Sequence, residues 1–181
     1  MKALVKFLLL FLLVAPSTIF AQDRKMDELY KKYSTEKGFE AFQFTPEMFK
    51  LVANLQIDSL MTPQEKAIFE NNLTKLKSIK VLTYKANQEN PLNFNNIIAK
   101  EFPTEKYKLL FESINQDESF RVRARYKEDK NEKSLLDEII AIKKSPKSTT
   151  LINIDAIVTL KDFMTIMKIA QEKNKELLFK K

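Results

Sequence analysis

The apolar positions of this chain change period several times, and each change predicts an element. Met26, Leu29, Tyr30 and Tyr33 recur at i, i+3, i+4 and i+7, which marks one face of an α-helix. Gly38, the single glycine of the chain, follows directly and suits a left-handed helix cap. Phe39 to Phe44 reads as a short strand with Phe42 and Phe44 on one face. Thr45-Pro46 then signals a helix start, with threonine as N-cap and proline at the first helical position. The predicted buried stripe of that helix is Met48, Leu51, Val52 and Leu55. Thr62-Pro63-Gln64-Glu65 repeats the signal as a capping box, opening a helix expected to bury Ile68, Phe69, Leu73 and Leu76. Ile79 to Tyr84 reads as a second strand. Past the Asn-rich turn around Pro91, Phe94, Ile97 and Ile98 begin a helix that Pro103 breaks. Tyr107, Leu110, Phe111 and Ile114 continue helical spacing beyond it.

Three strands are predicted next, at Phe120 to Lys127, Leu135 to Ile142 and Thr149 to Val158. The gaps between them admit hairpins but no crossover helix, so the three form an antiparallel meander. A last helix is expected to bury Leu160, Phe163, Met164 and Met167. The order predicts an α+β fold: an antiparallel sheet with a C-terminal three-stranded meander and helices packed mainly on one face.

Several of these segments together resemble a known family. They are Leu29-Tyr30-Lys31-Lys32-Tyr33 leading to Gly38-Phe39, Phe42-Gln43-Phe44-Thr45-Pro46-Glu47-Met48, and Leu76-Lys77-Ser78-Ile79-Lys80-Val81-Leu82. Tyr107-Lys108-Leu109-Leu110 and Leu151-Ile152-Asn153-Ile154 complete the set. The chain resembles the exported bacterial proteins grouped as domain of unknown function 4252. Two positions depart from that pattern: Ala156 stands where the family often has glycine, and Thr159 where it often has an acid. The resemblance implies an exported envelope protein without assigned catalytic residues. It also implies a link to envelope regulation, since members are often encoded beside extracytoplasmic-type sigma factors.

The N-terminus supports export independently. Lys2 and Lys6 precede an apolar run from Phe7 to Ala15 and a more polar exit ending at Ala21. Nine apolar residues fit a signal-peptide core and fall short of the roughly 20 needed to span a bilayer. The expected organisation is a signal peptide over 1–21 and one α+β domain over 22–181. The product would be periplasmic or extracellular, with no transmembrane segment after cleavage near Ala21. Lys2 and Lys6 fall in the leader, so the remainder carries 29 basic against 24 acidic side chains, a net +5. With no cysteine, an exported chain must rely on core packing in place of disulfides.

Composition also excludes chemistry. Without histidine or cysteine there is no Ser-His or Cys-His nucleophile system, and nearly every zinc or transition-metal site is ruled out. One glycine leaves no phosphate-cradling loop and no dinucleotide fingerprint. No cofactor, metal or catalytic residue is expected, and the chain reads as a non-enzyme. Asp58-Ser59-Leu60 resembles a short bacterial O-glycosylation acceptor but reads first as an unmodified loop, and Asn72-Leu73-Thr74 is formally an N-glycosylation sequon but falls in a predicted helix, where the unmodified reading holds.

What remains is a stripe of cations. Three of the four arginines, Arg121, Arg123 and Arg125, alternate along one predicted strand with Lys127 after them. They share a face opposite Phe120, Val122, Ala124 and Tyr126. Same-face neighbours about 6.5–7 Å apart repel by only about 0.6 kcal/mol in water, so the stripe is tolerable without an anion. It reads either as a solvated face cross-paired to Glu138 and Asp155, or as a grip for an envelope protein or anionic surface component. Aliphatics on both faces of 135–142 favour a contact surface, unless another element covers them, so the leading reading is a non-enzymatic envelope binding module that uses the outer face of the meander. Nucleic acid is disfavoured, because the aromatics face away from the arginines. The alternative reading is a small apolar-ligand carrier, its pocket lined by Phe42, Phe44, Phe69, Phe111 and Phe163 between helices and sheet.

Overall fold

The computed structural model describes residues 25–54, 62–85, 93–127 and 135–168. The leader, Leu55, Ser59 and the turn at Pro91 lie outside the described residues, as do the side chains of Val52, Phe69 and Leu73. In chain order the elements are α1 (Lys25–Tyr33), β1 (Phe39–Phe44), α2 (Pro46–Asn54), α3 (Pro63–Leu73), β2 (Leu76–Lys85) and α4 (Phe94–Glu101). Then come β3 (Lys108–Ile114), β4 (Ser119–Lys127), β5 (Leu135–Lys144), β6 (Ser148–Thr159) and helical residues 160–168, here α5. The six strands form one sheet in the order β1-β2-β6-β5-β4-β3, every neighbouring pair antiparallel.

The register assigns faces. Leu82 opposes Leu151, which opposes Ile142, which opposes Arg121, so these four share one face, called here the arginine face. Their sequence neighbours Val81, Ile152, Ala141 and Val122 share the other. On the arginine face Met26, Leu29 and Tyr33 of α1 and Phe94 and Ile98 of α4 cluster with Leu82, Ile140, Ile142 and Leu151. Tyr33 stacks on Phe39 with ring centroids 4.7 Å apart, and Phe94 meets Phe39 edge-on at 5.1 Å. On the other face Phe163 of α5 packs with Val122, Ile139, Ala156 and Val158.

The helices therefore divide between both faces, where one main face was expected. The reason is visible in β5. Ile139 and Ala141 point one way and Ile140 and Ile142 the other, so each side carries an apolar surface that needs cover.

Further expectations change, one of them in α5, where Phe163 is buried but Met164 is exposed. The stretch 108–114 is a strand, not a continuation of helix. Its helical spacing is overridden by pairing with β4 through a tight turn, in which the Asn115 side-chain oxygen accepts from the backbone N–H of Asp117 and Glu118 at 3.1 and 2.7 Å. In α2 the buried residue is Phe49, while Met48 and Leu51 are exposed. Phe49 stacks with Phe44 at 6.5 Å, and that contact sets the rotation of the helix. Gly38 does have a left-handed φ, +90°, but in the turn entering β1, not at the helix cap. There its carbonyl accepts from Lys85 N–H at 2.9 Å.

Candidate functional site

Two regions could serve function: the cation ladder on one face of the sheet and a cavity on the other. The ladder is not uniform along β4. Arg125, at its inner end, is engaged on every side. Its Nε donates to Asp137 at 2.9 Å, Nη2 lies 3.1 Å from Glu138, and Nη1 donates to the Tyr107 hydroxyl at 3.5 Å. Tyr107 donates to Glu138 at 2.8 Å, and the Asn153 amide donates to the other Glu138 oxygen at 2.7 Å. Burial raises the Glu138 pKa above its ordinary 4.5, against the opposing hydrogen bond from Tyr107 and the charge of Arg125. Burial, and then the neighbouring Glu138 carboxylate, raise the Tyr107 phenol as well.

Beside this network Lys80 reaches Asp27 of α1 at 2.6 Å, tying that helix to the sheet. The space left among Met26, Ser78, Arg125, Glu138, Asn153 and Asp155 is about 10 Å³, room for a single water and not for a substrate.

The outer end of the ladder differs. Arg121 pairs with Glu112 across the β3–β4 hairpin. Arg123 donates to the carbonyl of Phe102, the C-cap of α4, at 3.4 Å, where the helix dipole favours a cation. Lys127 is exposed at the strand end. Of the expected stripe, then, Arg125 belongs to a buried ion-pair network, Arg121 and Arg123 are half-buried, and Lys127 lies in water. The aliphatics expected beside them, Ile140 and Ile142, are buried under the helices.

On the opposite face a cavity of about 340 Å³ opens between the sheet and the helices. Phe44, Phe49, Ile79, Ile139, Ile154 and Phe163 wall it, and Asn72 is the one polar residue among the described lining. Both ends of the Asn72 amide are occupied: Nδ2 donates to Ile68 O at 2.8 Å and Oδ1 accepts from Lys75 at 3.2 Å. That buried amide also answers the sequon at 72–74, which offers no exposed acceptor. Of the five expected pocket phenylalanines, Phe44 and Phe163 line the cavity, while Phe42 and Phe111 are exposed elsewhere. Phe49 was missed. Its signal was present, since an aromatic four residues after the Thr45 cap falls one turn into the helix, facing the strand before it.

Among the described residues no cluster of three metal-type ligands occurs, and no helix is long and apolar enough to cross a membrane. Fold and sites define an α+β domain on one six-stranded antiparallel sheet, with a polar network on one face and an apolar cavity on the other. The chain belongs to the family described as domain of unknown function (DUF4252), whose model matches residues 33–171. No curated protein and no solved structure matches it.

Proposed function

We propose that this chain is an exported, non-enzymatic binding protein that holds a small apolar ligand in the cavity between the sheet and its helices. The cavity carries the reading. Protein interiors normally close to voids no larger than a water, whereas this one lies in the roughly 300–1,000 Å³ range of small-molecule sites. Its lining offers no charge to compensate an ionised group, so the ligand is a hydrocarbon chain or ring system with at most a neutral polar end. The signal-peptide pattern of residues 1–21 supports export.

A second reading, contact with an envelope partner or an anionic surface component, is favoured by the half-exposed Arg121 and Arg123.

The cavity reading is tested with N-phenyl-naphthylamine, whose fluorescence rises in apolar sites. Titration into the purified chain is expected to saturate at one dye per protein. Ala156, buried in the cavity wall, is the place to close it. Ala156→Leu should abolish dye binding while raising stability by about 1–2 kcal/mol, the return from filling part of a void. Dye binding that does not saturate, or that survives Ala156→Leu unchanged, would reject the carrier reading.

A further inference from the structure

The outer half of the arginine ladder has a third member that sequence reading did not include. Lys144 ends β5, and its register partner on β4 is Ser119. Arg121, two residues on from Ser119, therefore stands diagonally across from Lys144 on the same face, a separation of roughly 7–8 Å between backbones. Arg123 follows one step along β4. The helix α4 runs past all three. At one end Thr149, the β6 partner of Lys144, donates to Asn95 at 3.3 Å; at the other end Arg123 meets the Phe102 carbonyl.

We propose that Arg121, Arg123 and Lys144 form a binding site for a phosphate oxyanion, set beside α4 on the arginine face of the sheet. Three observations carry this. The charges do not cancel: Arg121 has Glu112, but Arg123 and Lys144 make no ion pair among the described residues, which leaves two positive charges over. A phosphate group near neutral pH brings about −1.5 to −2, a matching charge. Second, the Nε of Arg123 is buried without a hydrogen-bond partner among the described residues, so the Arg123 guanidinium is not fully used by the protein. Third, the cations strain one another. Burial, and then the charges of Arg121 and Arg123, lower the Lys144 pKa, the opposite of what a resident carboxylate would do. Arginine and lysine together also suit phosphate, since the planar guanidinium donates in a fork and the ammonium acts as a point charge.

The site deepens the second reading above and is independent of the cavity. The donors fit a phosphate whether it is free in solution or carried on a lipid headgroup, and the test separates these sources.

Thermal unfolding of the full chain is followed in phosphate and in chloride at matched ionic strength. Phosphate at about 10 mM should raise the wild-type midpoint beyond the chloride control. Lys144→Gln should raise the midpoint without phosphate, by relieving repulsion, and weaken the phosphate response about tenfold, as losing one charged hydrogen bond predicts. Arg123→Gln should weaken it comparably, while Lys127→Gln leaves it unchanged. A purely structural Lys144 would not produce both signs at once.

Vesicles of phosphatidylglycerol, compared with phosphatidylcholine, form the second arm. Lipid binding lost in Lys144→Gln, together with the free-phosphate response, assigns the ligand to a headgroup; the response without lipid binding assigns it to free phosphate. Vesicle binding with no phosphate response would overturn the site while leaving the anionic-surface reading in place. Equal midpoints in phosphate and chloride without vesicle binding would overturn both.

Discussion

Ile139 and Ile140 are consecutive in β5, both almost wholly buried, yet they occupy different kinds of interior. Ile140 packs into a closed cluster with Leu82, Leu151 and the α1 and α4 side chains. Ile139 is covered almost as completely but stands in the wall of the 340 Å³ cavity. The contrast extends across the sheet. The arginine face is pinned by directional contacts: Arg125 to Asp137 and Glu138 locks β4 against β5, and Lys80 to Asp27 ties α1 to β2. The other face is held mainly by apolar contact around its cavity, with the Lys75–Asp162 ion pair at 2.9 Å tying α5 to the start of β2. One sheet thus separates a face that specifies the fold from a face that can yield.

The largest test of that difference compares the two isoleucines. Ile140→Ala should destabilise the chain by about 4 kcal/mol, near the upper end for large-to-small core changes. Ile139→Ala should cost about 2 kcal/mol, because the space it vacates joins the adjoining cavity, into which its neighbours can relax. Urea denaturation with matched m-values measures both. Equal losses would mean that the two faces are packed alike and that the cavity closes in solution.

Arg125 comes next. Arg125→Met leaves Asp137 and Glu138 buried beside each other, which should cost about 3 kcal/mol, as expected when one partner of a buried ion pair is removed. Adding Glu138→Gln should recover part of that loss by removing one of the two carboxylates. A double variant no more stable than Arg125→Met alone would show that the network is not the pin described here.

How far the sequence could be read follows the same division. Strands at 39–44 and 120–127 were legible because alternation and flanking turn residues agreed with their final pairing. Strand β3 was not: Tyr107, Leu110, Phe111 and Ile114 do carry helical spacing, and only pairing with β4 overrides it. The face of α2 was ambiguous for a related reason. Five of its nine residues are apolar, so the stripe containing Met48 and the one containing Phe49 were equally plausible until Phe44 selected Phe49. Glu138 as a cross-strand partner of Arg125 could be foreseen from charge and order. Lys144 could not, because its place beside Arg121 depends on a register that no local pattern states.

The smallest expected effect is a pH dependence confined to the pinned face. Glu138 holds its proton more tightly folded than unfolded, because burial outweighs the help of Tyr107 and Arg125. The folded state therefore binds more protons in the window from the ordinary value of 4.5 up to the raised one, and stability falls as pH rises through it. Below 4.5 the contribution is fully present; above the raised value the loss is complete and the curve levels. Asp162 acts in the opposite sense: its hydrogen bond from Lys75 lowers its pKa below 3.8, so its contribution is lost only at more acid pH and does not overlap the window. Glu138→Gln cannot ionise but can keep the contacts to Tyr107 and Asn153. Urea midpoints taken from pH 4 to 8 should therefore decline in the wild type relative to Glu138→Gln, then run parallel. Profiles parallel across the whole range would mean that Glu138 titrates as an ordinary carboxylate. The arginine face would then be as adaptable as the face that holds the cavity.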